Sequence, residues 1–561
     1  MGIVHYLLKN VELFPDKTAI IIADTSFSYQ EISEQTRRLS YALSEIGVGK
    51  GTHIGIFLNN SIEFVTTMLA VADLGATIVP MSITTSSNAL LTAISASDIG
   101  YIIGWHAALM ELLDRSREKF PLSRKYCISV GREIDGCLSF NEMLKAAPET
   151  YELGKRLIDD ETDFILTMTS GSTSDPKPIV FTQGTKIRRS LGAQELYDIT
   201  DKDITLVATP LYHSISQRLV LIPIVTGGTC VIMQKFTSKN WFTQIDRHKV
   251  TFSIAVSSQL EMILQELKDT EADLSSLRCI VCCCSLLKND IKSRLIKEMK
   301  CDFHECYGAS EVGTVSNLSP ETSLEKLHTV GKAAPGVEIK IVDDKRNPVA
   351  MGEIGEIACK STMRFSRYYN NEEATLQSMV DGLFYTGDMG YLDENGYLVF
   401  SGRKKEIIIT GGTNVYPMDI EAVLTAHPKV KECAVIGAED QKFFSHGGFD
   451  WLAIEYAIQA NLTTDRKLGA STISMQTARN VFLWQSRTWV RKVLESYFTV
   501  LIEFFWSKQR ILEVYVNVIE WGNGIFGCEQ AAQSYFKHSS KILSPVESAW
   551  MAAVLPNPRD W

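Results

Sequence analysis

The 561-residue sequence predicts two fold classes in one chain: a multi-lobed α/β part to about residue 434, then a mostly α-helical part. Three observations predict this. Through the first part, short β-branched runs alternate with helical stretches, as at His53–Asn60, Ala76–Ser82, Ile204–Pro210, Thr229–Gln234, Val250–Val256 and Val337–Asp344. After Asp450 the apolar residues recur every three or four positions, as in Leu452–Gln459 and Val490–Phe505, which is the period of a helix. Tryptophan also changes density. Only Trp105 and Trp241 precede residue 440, whereas Trp451, Trp484, Trp489, Trp506, Trp521, Trp550 and Trp561 follow it.

Composition sets outer bounds. Apolar residues make up 45% and charged residues 22%, so a disordered or collagen-like chain is excluded. At roughly 150 residues per domain the length predicts three or four domains. The net charge of −10 excludes a chain that coats nucleic acid. That charge belongs to the first part, because from Val435 onward 12 basic residues face 12 acidic ones. Eleven of the 12 cysteines precede residue 434, and Cys279 with Cys282 forms one C-x-x-C without the second pair a zinc site needs. Buried, reduced thiols are the expectation, and with them a reducing compartment. Met1–Lys17 lacks the basic-then-apolar order of a secretory leader, and no run reaches about 18 apolar residues. The sequence as written therefore predicts a cytoplasmic chain.

Within the first part, a strand-like run, Phe164–Met168, precedes Thr169-Ser170-Gly171-Ser172-Thr173-Ser174-Asp175-Pro176-Lys177. Small hydroxyl residues and one glycine let backbone N–H groups approach phosphate oxygens, and Lys177 adds a charge. The spacing is not that of a Walker A loop. Tyr307-Gly308-Ala309-Ser310-Glu311, Tyr385-Thr386-Gly387-Asp388 and Gly402-Arg403-Lys404-Lys405 follow in order. Taken singly, Asp388 also reads as a turn residue, Glu311 as a solvated charge and His213 as a structural histidine.

In order and spacing these four motifs resemble the adenylate-forming superfamily of acyl-CoA synthetases, over the N-terminus to about residue 438. The resemblance implies ATP-dependent conversion of a carboxylic acid to an acyl-adenylate, then transfer to CoA. It implies that Thr169, Ser170, Gly171, Ser172, Thr173 and Lys177 hold phosphates, with Tyr307 in the nucleotide site. Ser310 and Glu311 contact phosphate and Mg²⁺, a cation that takes oxygen ligands. Asp388 accepts from the ribose hydroxyls, Arg403 bridges ribose and phosphate, and Lys405 is the hinge between lobes. His213, in Pro210-Leu211-Tyr212-His213, lies by the acyl pocket. Two departures stand out: Ser174 replaces a family glycine, and Cys283-Cys284-Ser285-Leu286 replaces a glycine-rich adenine-contacting segment. The family's later Gly-Lys motif, whose lysine stabilises charge developing in adenylation, has no counterpart. Its loss predicts impaired activation.

The second part opens on Glu439-Asp440-Gln441-Lys442-Phe443-Phe444-Ser445-His446-Gly447-Gly448-Phe449-Asp450. Gly469-Ala470-Ser471-Thr472-Ile473-Ser474-Met475-Gln476, Arg491-Lys492-x-x-Glu495, Lys508-x-x-Ile511-Leu512-Glu513-x-Tyr515-Val516-Asn517 and Ala531-Ala532-x-x-Tyr535-Phe536 follow. Taken singly, Glu439 reads as a helix-start acid, and Arg491 with Glu495, four apart, as a surface ion pair. In order, the five motifs resemble the peptidoglycan glycosyltransferases, specifically the monofunctional biosynthetic transglycosylases.

That resemblance implies a lysozyme-like lobe that polymerises lipid II into a β-1,4 glycan and releases undecaprenyl diphosphate. Glu439 is then the general base and Glu495 a second carboxylate near the diphosphate or a divalent metal. Arg479, Arg487, Arg491 and Lys492 neutralise diphosphate, and Ser471, Thr472 and Gln476 contact donor oxygens. The aromatic run Tyr497, Phe498, Phe504, Phe505 and Trp506 reads equally as core or as a membrane-surface contact.

The expected domains are an adenylate-forming domain at 1–402, a truncated start of its small lobe at 403–434, and a glycosyltransferase domain at 435–561 that lacks its anchor and last helices. The two readings meet inside Ala434–Phe443. The chain is read as a fusion of two enzymes whose compartments conflict, since the second family works at the periplasmic face of the membrane. The alternative is a non-catalytic chimera that binds ATP or AMP and lipid II diphosphate.

Overall fold

A computed structural model describes residues 1–83, 85, 87–115, 120–168, 178–322, 324–404, 408–410, 413–415, 443, 447–449, 471–484, 488–522 and 524–540. They fall into two compact units, Met1–Phe400 and Ser401–Trp561.

In the first unit every β-branched run named above forms a strand. His53–Phe57, Thr77–Pro80 and Asp163–Met168 lie in an eight-stranded sheet; Ile204–Val207, Thr229–Ile232 and Phe252–Val256 lie in a nine-stranded one. Both sheets are parallel through the middle and antiparallel at an end. Strands buried on both faces favour continuous Val/Ile runs, which is why they are readable in the sequence. Val337–Val342 instead alternates in exposure and joins a five-stranded antiparallel sheet.

A few elements position the residues of interest. Helix α1 is Gln183–Tyr197, capped by Thr182, whose hydroxyl accepts from the Thr185 N–H at 3.2 Å. Helix α2 is Ser214–Thr226, which starts after His213 and ends at Gly227 in the left-handed region (φ 85°). Strand β1 is Asp302–Ala309 and β2 is Gly313–Leu318, paired antiparallel at one end of the nine-stranded sheet. Strand β3 is Leu383–Leu392, in the five-stranded sheet.

In the second unit, helices α3 (Ile473–Phe482), α4 (Trp489–Phe505) and α5 (Lys508–Val518) begin on Thr472, Thr488 and Ser507. Each cap hydroxyl accepts a backbone N–H three residues on. Phe443, Ile473, Ala478, Ile502, Ile511, Tyr515, Trp521 and Ala531 share one buried cluster. Among the described residues, no helix is long and apolar enough to cross a membrane.

Candidate functional sites

The structure joins two of the nucleotide motifs. Tyr307 on β1 and Asp388 on β3 are 81 residues apart, and the phenol donates to Asp388 Oδ2 at 2.8 Å. Asp388 is buried, and its own N–H donates to Thr386 Oγ1 at 3.0 Å. Burial and the neighbouring carboxylate hold the Tyr307 phenol well above its ordinary pKa, so it stays a donor. The result is a carboxylate in a fixed orientation, secured by a neutral group.

Ser310 and Glu311 follow β1 directly. Their carbonyls accept from Arg189 Nη2 at 2.8 and 3.3 Å, and the Glu311 carboxylate accepts from the Tyr368 hydroxyl at 2.8 Å. Sequence reading missed Arg189 and Tyr368. Their one signal is indirect: α1 carries Lys186 and Arg189 on the face that also presents Ala193 and Tyr197, all of them buried. Among the described residues, no three His, Cys, Asp or Glu side chains gather as a metal site. Glu311 alone suits Mg²⁺, which binds through one or two carboxylates plus phosphate oxygens.

His213 is exposed at the start of α2, its ring 4.3 Å from that of Tyr212, and partial desolvation lowers its pKa. Arg403 is exposed at the end of the strand Leu398–Arg403. Cys284, in the departed adenine segment, keeps a backbone suited to glycine, with φ 79°. A side chain there costs about 1–2 kcal/mol. Thr169, Ser170, Gly171, Ser172, Thr173, Lys177 and Lys405 lie outside the described residues.

In the second unit, Glu495 on α4 is buried. Arg491 Nη1 donates to its Oε2 at 2.6 Å and Lys492 Nζ to its Oε1 at 2.5 Å. Lys492 also reaches Ser471 Oγ at 3.3 Å, which ties the second and third motifs together. The Arg491–Glu495 pair is thus an ion pair, but an interior one, not the solvated surface pair a four-residue spacing alone suggests. Both oxygens of Glu495 are engaged by cations, so a divalent metal does not fit there.

The Thr472 hydroxyl caps α3 and donates to the Gly448 carbonyl at 2.7 Å, so it also serves the scaffold. Gln476 Nε2 donates to the Ser471 carbonyl at 3.3 Å, and Arg479 Nε to Asn480 Oδ1 at 3.1 Å. The aromatic run divides. Phe498 and Trp506 pack on the buried cluster, whereas Tyr497, Phe504 and Phe505 are exposed. Val490, Val493, Tyr497, Val500 and Phe504 make one exposed stripe at alternating spacings of three and four. Glu439 and Arg487 lie outside the described residues.

The comparisons with known proteins also fall into two parts. Residues 7–369 match the family described as AMP-binding enzyme, and residues 418–561 match the family described as Transglycosylase. A 2-succinylbenzoate--CoA ligase of Bacillus subtilis is 31% identical over 445 residues, 78% of this chain and 86% of that protein. A biosynthetic peptidoglycan transglycosylase of Bdellovibrio bacteriovorus is 60% identical over 132 residues, 24% of this chain and 52% of that protein, so the chain spans about half its length. Among solved structures, O-succinylbenzoate coenzyme A synthetase from Bacillus subtilis in complex with AMP aligns with a TM-score of 0.67 at 28% identity. That alignment covers 76% of this chain and 84% of the other. The anthranilate CoA ligase AuaEII with anthranoyl-AMP aligns with a TM-score of 0.71 at 25% identity, covering 78% and 84%. The chain belongs to the AMP-binding enzyme family, and its C-terminal residues 418–561 match the transglycosylase family.

Proposed function

We propose that the N-terminal part activates a carboxylic acid with ATP, forming an acyl-adenylate and pyrophosphate, and passes the acyl group to CoA. The observation that carries this reading is the buried Asp388 carboxylate oriented by Tyr307 at 2.8 Å. Such a group accepts two hydroxyl donors at fixed separation, as the ribose of an adenylate supplies. Glu311 is held in place by Tyr368 and supplies one carboxylate ligand to Mg²⁺, which when bound neutralises phosphate charge. Thr169–Lys177 and Arg403 take phosphate, and Lys405 serves as the hinge. Activation is slow in this chain, because transglycosylase sequence stands where the family carries its adenylation lysine. The test is carboxylate-dependent ATP–pyrophosphate exchange over a panel that includes 2-succinylbenzoate, indoleacetate and anthranilate. Exchange with none of them ends the ligase reading.

A second reading is favoured by the cation cluster around Glu495. We infer that the C-terminal part extends a glycan from lipid II, with Glu439 as base. Arg491 and Lys492 are preorganised on Glu495, and with Arg479 and Arg487 they receive the leaving diphosphate. Ser471 and Gln476 border that cluster. The exposed α4 stripe is the surface that meets the membrane holding the lipid. Polymerisation from lipid II is compared with Glu439→Gln; equal rates would remove Glu439 as base. Loss of both activities with AMP and lipid II binding retained would leave the non-catalytic alternative.

A further inference from the structure

Three side chains on one face of α1 hold three consecutive backbone carbonyls. Arg188 Nε donates to Thr362 at 2.8 Å, Arg189 Nε to Met363 at 2.8 Å, and Thr185 Oγ1 to Arg364 at 3.2 Å. These carbonyls lie between the strands Gly355–Ser361 and Arg367–Tyr368, outside the sheet ladders, so side chains supply their donors. Arg189 does more than the other two. Its Nη2 turns to the Ser310 and Glu311 carbonyls, at 2.8 and 3.3 Å. One planar guanidinium thus bridges two chain segments through two fixed donors, which a lysine ammonium does not reproduce. Gly313 leaves room for it: at φ 78°, a Cβ there would stand 3.3 Å from Arg189 Nε.

The bridged segment closes on Glu311 from a second side. The Phe365 N–H donates to the Glu311 carbonyl at 2.5 Å, and the Tyr368 hydroxyl to its carboxylate at 2.8 Å. The far end of the segment is tied to the strand Pro178–Thr182, which begins directly after Lys177. Arg367 pairs with Val180 and Tyr368 with Ile179, and the Tyr369 N–H donates to the Pro178 carbonyl at 2.8 Å. Arg367 also forms a two-pronged pair with Asp163, at 3.0 and 2.6 Å, on the strand Asp163–Met168 that leads to Thr169. One short segment therefore ties Glu311 to both strands that flank Thr169–Lys177. Among the described residues, no cation is in ion-pair contact with the Glu311 carboxylate.

We propose that Arg189 is a positioning residue for divalent-metal binding. Its two-sided grip sets Glu311 against the strands flanking Thr169–Lys177, so that carboxylate and phosphate oxygens can share one cation. This rests on the reading in which Glu311 takes Mg²⁺ and Thr169–Lys177 takes phosphate. Mg²⁺ demands near-ideal octahedral ligand positions, so a carboxylate displaced by a lost bridge weakens it even where the fold is kept.

The readout is the Mg²⁺ gain: the affinity of the full chain for ATP with Mg²⁺, relative to that with EDTA, by calorimetry. Mg²⁺ is expected to strengthen ATP binding by the unaltered chain. Arg189→Lys keeps the charge and loses the fork. It is expected to lower the gain about tenfold, the size of one charge-assisted contact, with metal-free AMP affinity unchanged. Tyr368→Phe is expected to lower the gain less. Arg188→Met loosens the same segment at Thr362 without touching Ser310 or Glu311, and is expected to leave the gain as it was. AMP binding reports that each variant is folded; if Arg189→Lys fails that check, Tyr368→Phe decides, and an unmoved gain there overturns the proposal. No gain in the unaltered chain, an unmoved gain in Arg189→Lys, or an equal fall in Arg188→Met overturns it too. A gain that falls as expected, with no acid supporting pyrophosphate exchange, would remove the ligase reading while this one stands. Exchange with an unmoved gain would remove this one alone.

Discussion

Asp388 in the N-terminal unit and Glu495 in the C-terminal unit are both buried carboxylates, yet they are secured by opposite means. Asp388 is met by a neutral phenol, Glu495 by a guanidinium and an ammonium. A neutral donor orients an anion without adding positive charge of its own. Two cations cancel the charge, and the carboxylate then serves to hold them for an anion. The difference is one of local charge: the phenol on Asp388 is neutral, whereas the two donors on Glu495 are cations.

The largest expected effect that would break this comparison is Glu495→Ala. Arg491 would be left buried without its partner, at about 3–5 kcal/mol. Urea unfolding followed by tryptophan fluorescence is the measurement, since seven of the nine tryptophans lie after residue 440. A change under about 1 kcal/mol would mean that the pair is not an interior one.

Asp388→Asn sharpens the other side. The amide oxygen still accepts from Tyr307, so stability is expected to hold within about 1 kcal/mol. AMP affinity is expected to fall roughly 10- to 100-fold, the loss of charge-assisted contacts to ribose. Unchanged AMP titration would detach Asp388 from the nucleotide.

The smallest effect is on pH dependence. The Tyr307 phenol is raised above its ordinary value of 10.0, so its contribution is complete below about pH 10 and is lost as pH rises beyond that, where the unfolded phenol ionises first. Tyr307→Phe is expected to flatten the alkaline fall in stability, read from urea midpoints between pH 9 and 11. An unchanged slope would place the loss on other buried tyrosines such as Tyr29 and Tyr197, which are raised by burial too.

Much of the fold was legible because the physics is local. Ile204–Val207, Thr229–Ile232 and Phe252–Val256 lie in the middle of a parallel sheet, where both faces are buried and β-branched runs are favoured without alternation. The period of Val490–Phe505 likewise marks α4. It did not tell which aromatics face inward: Phe498 and Trp506 do, Phe504 and Phe505 do not. A run with apolar residues on several sides leaves that to the packing partners.

The candidate sites were legible as motifs and not as geometry. Tyr307, Glu311, Asp388 and Glu495 could be named from their neighbours in sequence. The groups that hold them could not when they came from afar: Arg189 grips Ser310 across 121 residues, and Tyr368 grips Glu311 across 57. Thr472 shows the converse, a motif residue whose hydroxyl is taken up by the helix it caps.

The sequence by itself determined that the chain has two parts that resemble different protein families, because motif order, tryptophan density and charge balance are properties of the string. Only the tertiary structure decided which charges are matched. Whether the Arg491–Glu495 pair is buried, whether Tyr307 meets Asp388, and whether Arg218 meets Thr314 depend on how residues far apart in sequence pack. Electrostatic and hydrogen-bond energies follow the resulting distances and the burial around them.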